Sequence, residues 1–337
     1  MTFLILLIGS LLAAVIPMVI CALIIWWFDR YEKEPRSLLV VAFLWGAGPA
    51  LVLAVIAELL IGAPVDFLGP VGKLLGTIAV APIVEEVTKA IMLFALMLSL
   101  RAEFDDVLDG IIYGAMIGFG FALTENVFAY FVPIASQQGL GAGATNLFWR
   151  SIAFGANHAF WTAMMGAAFG YARLAQEGRQ RRLAPIGGWV QAVTFHAIHN
   201  VGATLTAQTG CLSLGMSLIV DWGGILLLLL VAAQVLRKER QWIERGLVEE
   251  VRRGMLSQQE FVLLQSATQR FARRWGAWRR GGRPAFRAVG CYYQCATDLA
   301  FAKQHLRSLG DEGGNLAQVQ RLRQELGAQR QQAAPWL

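Results

Sequence analysis

Long apolar runs constrain this chain more than any other feature. They lie near 2–27, 38–61, 74–98, 107–133, 149–174, 185–208 and 213–236, and a run of about 20 helical residues crosses a hydrocarbon core roughly 30 Å thick. In lipid every backbone N–H and C=O has to be satisfied within the spanning structure, which leaves helices or closed barrels. The runs are continuous and lack the two-residue alternation of barrel strands. The reading is therefore all-α: a polytopic helical membrane protein of about seven transmembrane helices. Composition agrees, since 56% of the 337 residues are hydrophobic and 15% charged, with a mean hydropathy of +0.51. The first run has no Lys or Arg before it and is longer than the apolar part of a secretory signal, so it reads as a retained anchor.

Basic residues alternate between the connections. Arg30, Lys33 and Arg36 follow the first run, Arg101 the third, and Arg173, Arg179, Arg181 and Arg182 the fifth, while the other connections hold only Lys73 and Arg150. By the positive-inside rule the N-terminus lies outside and the C-terminus in the cytoplasm, as an odd number of spans requires. Residues 1–236 form the transmembrane unit. Residues 237–337 form a basic, helical cytoplasmic segment with 18 Lys and Arg against 9 Asp and Glu.

Within that segment Ser257 and Glu260 are spaced as a capping box, and Gly281-Gly282 and "GDEGGN" at 310–315 read as breaks. "RFARRWGAWRRGGRPAF" interleaves arginines with Trp275, Trp278 and Phe286. That pattern suits a segment lying on anionic lipid, and equally an ordinary basic, partly disordered tail. Nucleic-acid binding is not expected, because no recognised motif accompanies the arginines and they adjoin a membrane span. Cys21 falls in an apolar run, Cys211 at the edge of the last one and Cys291 and Cys295 on the reducing side, so inert thiols are expected instead of disulfides or metal ligands.

Ionisable groups inside spans cost roughly 2.5–3.5 kcal/mol each on insertion scales and usually face the bundle interior. Those in the runs are Glu58, Glu85, Glu86, Lys89, Asp109, Glu125, His158, His196, His199 and Asp221. Glu85 and Lys89 share a helix face at i,i+4, which reads as an ion pair leaving Glu86 free; the reverse assignment is also open. His196, His199 and Asn200 fall on one stripe at i, i+3 and i+4. With the spans oriented as above, Glu85, Glu86, Glu125, His158 and His196 to Asn200 all lie roughly 12–18 Å below the outer surface at 1.5 Å per residue. Four helices thus put carboxylates and imidazoles in one layer. Gly110, Gly114 and Gly118 make two consecutive GxxxG steps, which by themselves read as a close-packing or dimerisation stripe.

Such a layer can activate a water. A glutamate takes the proton, while histidine and asparagine hold a metal or donate to an oxyanion. A divalent ion such as zinc would find ligands in Glu125, His158 and His196; alternatively Lys89 supplies the compensating charge, no cofactor is needed, and Glu86 is the general base. The metal-free version is the one preferred here. HExxH is absent and no serine lies in the layer, so zincin and serine mechanisms are not expected.

Taken together, "FDRYEKEPRSLL", the EExxK of "APIVEEVTKA", the FxxxEN in "FDDVLDGIIYGAMIGFGFALTENVFAY", His158, and the HxxxN of "HAIHN" resemble the PrsW family of intramembrane proteases. That family is related to CAAX prenyl endopeptidases and bacteriocin-processing membrane enzymes, and the resemblance covers most of 26–205. It implies an endopeptidase in a bacterial plasma membrane, cleaving a membrane-protein or peptide substrate in or next to its membrane segments, as in regulated proteolysis of a membrane-bound regulator. By the same resemblance Glu85 and Glu86 are the catalytic pair, and Glu125 stands where the CAAX enzymes usually have histidine. His158, His196 and Asn200 complete the site, with Lys89, Asn126 and His199 in support. The competing classes are a proton or ion pathway and a scaffold whose tail binds a cytoplasmic partner; paired halves and broken helices, expected of a transporter, are not visible in the sequence.

Overall fold

A computed structural model describes residues 2–28, 30–31, 33–101, 103–311 and 314–337. Every regular element among them is helical. In chain order these are α1 (Thr2–Phe28), α2 (Arg36–Trp45), α3 (Leu51–Asp66), α4 (Pro70–Leu75), α5 (Ala81–Ser99), α6 (Val107–Thr124), α7 (Val132–Gln138), α8 (Leu140–Phe148), α9 (Asn157–Leu174), α10 (Gly178–Thr204), α11 (Thr206–Thr209), α12 (Cys211–Arg252), α13 (Gln258–Leu264), α14 (Ala267–Leu309) and α15 (Asn315–Ala333). Single π-helical turns at Gly46–Ala50, Gly76–Val80 and Glu125–Phe131 join α2 to α3, α4 to α5 and α6 to α7, and a fourth, Trp149–Ala153, follows α8. Such turns widen a helix locally and are frequent at functional sites.

Three of these helical stretches are long and apolar enough to cross a membrane, Arg36–Gly62, Val107–Gln138 and Cys211–Arg252, and Ala14–Trp26 is a shorter apolar one. The sequence led us to expect seven; by length and composition three meet the criterion. They differ in what they face. The most apolar stretch of Val107–Gln138 is 83% buried within the protein, against 28% for the other two, so α6 is the central post of the bundle.

Glycines explain how α6 packs so deeply. A Cβ at Gly118 would stand 2.3 Å from the His158 carbonyl oxygen, one at Gly114 2.4 Å from that of Thr162, and one at Gly110 2.0 Å from that of Gly166. The stripe is therefore filled by α9 of the same chain, which brings the backbones of α6 and α9 together. α6 begins on a capping box: Asp106 accepts from the Asp109 N–H, and Asp109 accepts in return from the backbone of Asp106 at 2.8 Å. Asp109 of the ionisable census is thus a cap and not a member of the polar layer.

The chain divides into two compact units, one of Met1–Phe28 with Glu34–Ala232 and one of Asp29–Lys33 with Ala233–Leu337. The second unit is folded, which corrects the partly disordered alternative. Its core gathers Ile243, Leu247, Leu264, Val289, Tyr292, Leu299 and Leu326 from the end of α12 and from α13, α14 and α15. Glu250, fully buried, accepts from Arg323 at 2.8 Å and from Lys303. The Ser257–Glu260 capping box starts α13. Gly281 and Gly282 (φ 63°) break α14, and α14 ends at Gly310; Glu312 and Gly313 of the second anticipated break lie outside the described residues. All four cysteines are free.

Candidate active site

The carboxylates and imidazoles of the polar layer converge in the first unit. α5 carries Glu85, Glu86 and Lys89, the turn after α6 carries Glu125 and Asn126, α9 carries His158, and α10 carries His196, His199 and Asn200. Lys89 sits at the centre. Its ammonium lies 2.8 Å from Glu86 Oε1, 3.4 Å from Glu85 Oε2 and 3.0 Å from His158 Nδ1, and stands 3.9 Å above the Phe121 ring. An ammonium has only protons to offer, so His158 Nδ1 is the acceptor there and its Nε2–H points at Glu125 Oε2, 3.0 Å away.

His196 is fixed in the opposite sense. Its Nδ1 lies 3.1 Å from Glu86 Oε1, and since Glu86 is already paired with Lys89, Nδ1 carries the proton and Nε2 keeps a lone pair. The imidazole is also stacked on Trp161, with centroids 4.2 Å apart and planes at 18°. A carboxylate that orients an imidazole from behind is the usual support for a histidine meant to bind or move something through its other nitrogen.

The two glutamates of EExxK divide the work differently from the first sequence assignment. Glu86 has no exposure and is tied to Lys89, His196 and, at 3.5 Å, the Thr162 hydroxyl. Glu85 lines a cavity of about 570 Å³. Both carboxylates pair with Lys89, Glu86 the more closely, and Glu85 is the one that reaches the cavity, because α5 turns its Glu86 face into the protein. His158, Glu125, Asn126, His196, His199 and Asn200 line the same cavity.

Four side chains, Glu85, Glu86, His158 and His196, offer ligand atoms all within 4.8 Å of one another. Glu85 Oε2 is 3.9 Å from His196 Nε2 and 4.0 Å from His158 Nδ1; donors around a tetrahedral zinc are roughly 3.3 Å apart, from bonds of about 2.0–2.1 Å. One carboxylate and two imidazoles are a known catalytic zinc set; to hold an ion these three would have to draw closer, and the Lys89 ammonium would have to leave His158 Nδ1, 3.0 Å away. The carboxylate differs from the one anticipated. Glu125 faces His158 but is held by the Arg150 guanidinium at 2.6 Å.

Arg150 escaped the sequence reading, where it counted as a loop charge. It donates through Nε to Asn126 Oδ1 at 2.8 Å and stacks 3.5 Å over the Tyr130 ring. A signal was present: between Asp109 and Arg173 the only formal charges are Glu125 and Arg150, one of each sign. Asp221 on α12 was likewise left unassigned; it accepts from His199 Nδ1 at 2.7 Å and from the Asn157 amide at 2.8 Å. His199 is thereby engaged apart from the Glu85 cluster. Asn200 donates to the Thr77 carbonyl at 2.9 Å, which leaves its second N–H free of that bond.

The model of the family described as PrsW family intramembrane metalloprotease matches residues 34–233. The chain is 35% identical over 139 residues to a protein named Protease PrsW from Clostridioides difficile (strain 630), covering 40% of this chain and 58% of that protein. It is 27% identical over 181 residues to a Protease PrsW from Geobacillus kaustophilus (strain HTA426), covering 51% of this chain and 68% of that one. The chain thus spans a little over half the length of the first of these relatives. No solved structure matches it.

Proposed function

The chain belongs to the PrsW family, described as intramembrane metalloproteases, and on that premise we propose that it is an endopeptidase hydrolysing peptide bonds in or next to the membrane segments of a membrane protein or peptide. The observation that carries this reading is the buried group of Glu85, Glu86, His158 and His196, drawn from three helices and opening through Glu85 onto the cavity. A substrate that regulates transcription or signalling from the membrane suits such a cut. In this reading all seven apolar runs cross the bilayer, with the N-terminus outside; the helices at each run and the alternating loop arginines support it.

Glu85 makes its contacts through Oε2, and its other oxygen is the group that meets a water in the cavity. Glu85 takes one proton from that water as the oxygen attacks the scissile carbonyl carbon. It returns the proton to the departing amine nitrogen when the C–N bond breaks. Arg150 and Asn200 supply N–H donors along the cavity wall for the oxyanion. Lys89 and Glu86 hold the cluster's charge balance and the His196 tautomer. If a divalent ion is bound, His158 and His196 with Glu85 would hold it, Glu85 then serving as ligand in place of base, and the ion would polarise the carbonyl and acidify the water. Cleavage of a membrane peptide by purified protein, abolished in Glu85→Gln, tests the reading; a Glu85→Gln protein that still cleaves overturns it.

A further inference from the structure

The first half of α14 carries large aromatic side chains on the outside. Its inward side holds Arg270, 7% exposed, which donates to the Arg30 carbonyl and lies over the Tyr31 ring, and Arg274, which lies over Phe286. Ala277, without exposure, completes that side. The outward side holds Phe271 at 63% exposure, Trp275 at 43% and Trp278 at 45%. At i, i+4 and i+7 these three form one stripe, and the two indoles stack with centroids 4.9 Å apart. A helix with soluble surroundings buries its indoles; this one leaves both on the outside together with Phe271, while turning Arg270 and Arg274 inward.

The charge around the stripe is of one sign. Seven arginines and no acidic residue lie between Glu260 and Asp298. Arg279, Arg283 and Arg287 are exposed, and no hydrogen bond or ion pair ties them to another described residue. Aromatic side chains settle at the headgroup level of a bilayer, where an apolar body and a polar edge are both satisfied, and clustered arginines beside them bind lipid phosphate. A chain that is itself a membrane protein meets such a surface at high local concentration.

We propose that the Phe271–Trp275–Trp278 stripe inserts at the interface of an anionic bilayer while Arg279, Arg283 and Arg287 bind the headgroup phosphates. This anchor is independent of the peptidase reading. The test uses the full chain in nanodiscs, which leave both faces open, made of phosphatidylcholine alone or mixed with phosphatidylglycerol. Trypsin cleavage after Arg279 and Arg287 is expected to slow at least about tenfold in the anionic discs and to recover in high salt, while cleavage after the exposed Arg321 is unchanged. Equal rates in the two discs, or equal slowing at Arg321, overturn the proposal. A polarity-sensitive probe on Trp278→Cys, with the native cysteines replaced by alanine, should in addition be quenched by lipids brominated on the chain. Protection without quenching would refute the insertion of the stripe.

Discussion

Lys89 reaches from α5 to α9 and places its ammonium 3.0 Å from His158 Nδ1, while holding Glu86 at 2.8 Å. One lysine without exposure therefore sets the tautomer of one histidine directly and that of His196 through Glu86. Glu86 is held between Lys89 and His196, whereas Glu85 lines the cavity, and the proposed mechanism assigns the chemistry to Glu85.

That division predicts opposite outcomes for two neighbouring substitutions. Glu85→Gln should lower cleavage of a membrane peptide by about 10²–10⁴, the usual worth of a positioned acid–base group, with little change in thermal unfolding. Glu86→Gln leaves the Lys89 ammonium buried beside a neutral amide and should destabilise by about 3–5 kcal/mol. The double variant Glu86→Gln/Lys89→Met should regain much of that stability without regaining cleavage.

Metal content and activity should move together. Exhaustive chelation of the purified protein should abolish cleavage and added zinc should restore it. Bound zinc, measured by mass spectrometry, should fall in His158→Ala and His196→Ala and be retained in Glu125→Gln, since Glu125 is committed to Arg150. Full activity after chelation would return the mechanism to the carboxylates and Lys89 alone, as the sequence reading preferred.

Gly118→Ala tests the contact that carries the site. The new Cβ would meet the His158 carbonyl oxygen at 2.3 Å and the Ala159 Cα at 2.5 Å, both backbone atoms, so α9 has to move. A loss of about 1–3 kcal/mol is expected, with a fall in cleavage because His158 shifts with its own carbonyl. Gly223→Ala on α12, where a Cβ meets nothing within 4 Å, serves as the control.

The second unit should show an acid-sensitive pair. Burial raises the Glu260 carboxyl, but the Arg330 guanidinium at 2.9 Å and the Ser257 backbone outweigh it and hold the group at about 2, below its ordinary 4.5. A depressed folded value stabilises above the unfolded value, so this contribution is complete above about 4.5 and is lost as pH falls from there towards 2. Hydrogen exchange in α13 and α15 of the full chain should rise over that window. In Glu260→Gln it should already be raised at neutral pH and be flatter with acid.

Native thiols report topology. Cys211 and Cys291 are exposed in the protein, whereas burial pushes the Cys295 thiol up to about 12. With the N-terminus outside, a membrane-impermeant maleimide should label Cys211 on intact cells and leave Cys291 untouched until the membrane is opened. Cys295 should stay unlabelled at neutral pH in both cases. Labelling of Cys291 on intact cells would reverse the orientation.

The sequence by itself determined that the chain is helical and lives in a membrane, because twenty-residue apolar runs have no other way to satisfy their backbone in lipid. It also marked the polar residues that share a layer, since a charge in a span is costly enough to be informative. Which glutamate faces the cavity, which carboxylate stands with the two histidines, and what fills the Gly110–Gly118 stripe were decided only by tertiary structure. Spacing along one helix fixes which side chains share a face, but the direction of that face depends on the neighbouring helices. Glu85 and Glu86 differ by a rotation of about 100°, and it is the packing of α5 against α9 and α10 that turns one inward and the other towards the cavity. Arg150 makes the same point, since its pairing with Glu125 joins residues 25 positions apart in the chain.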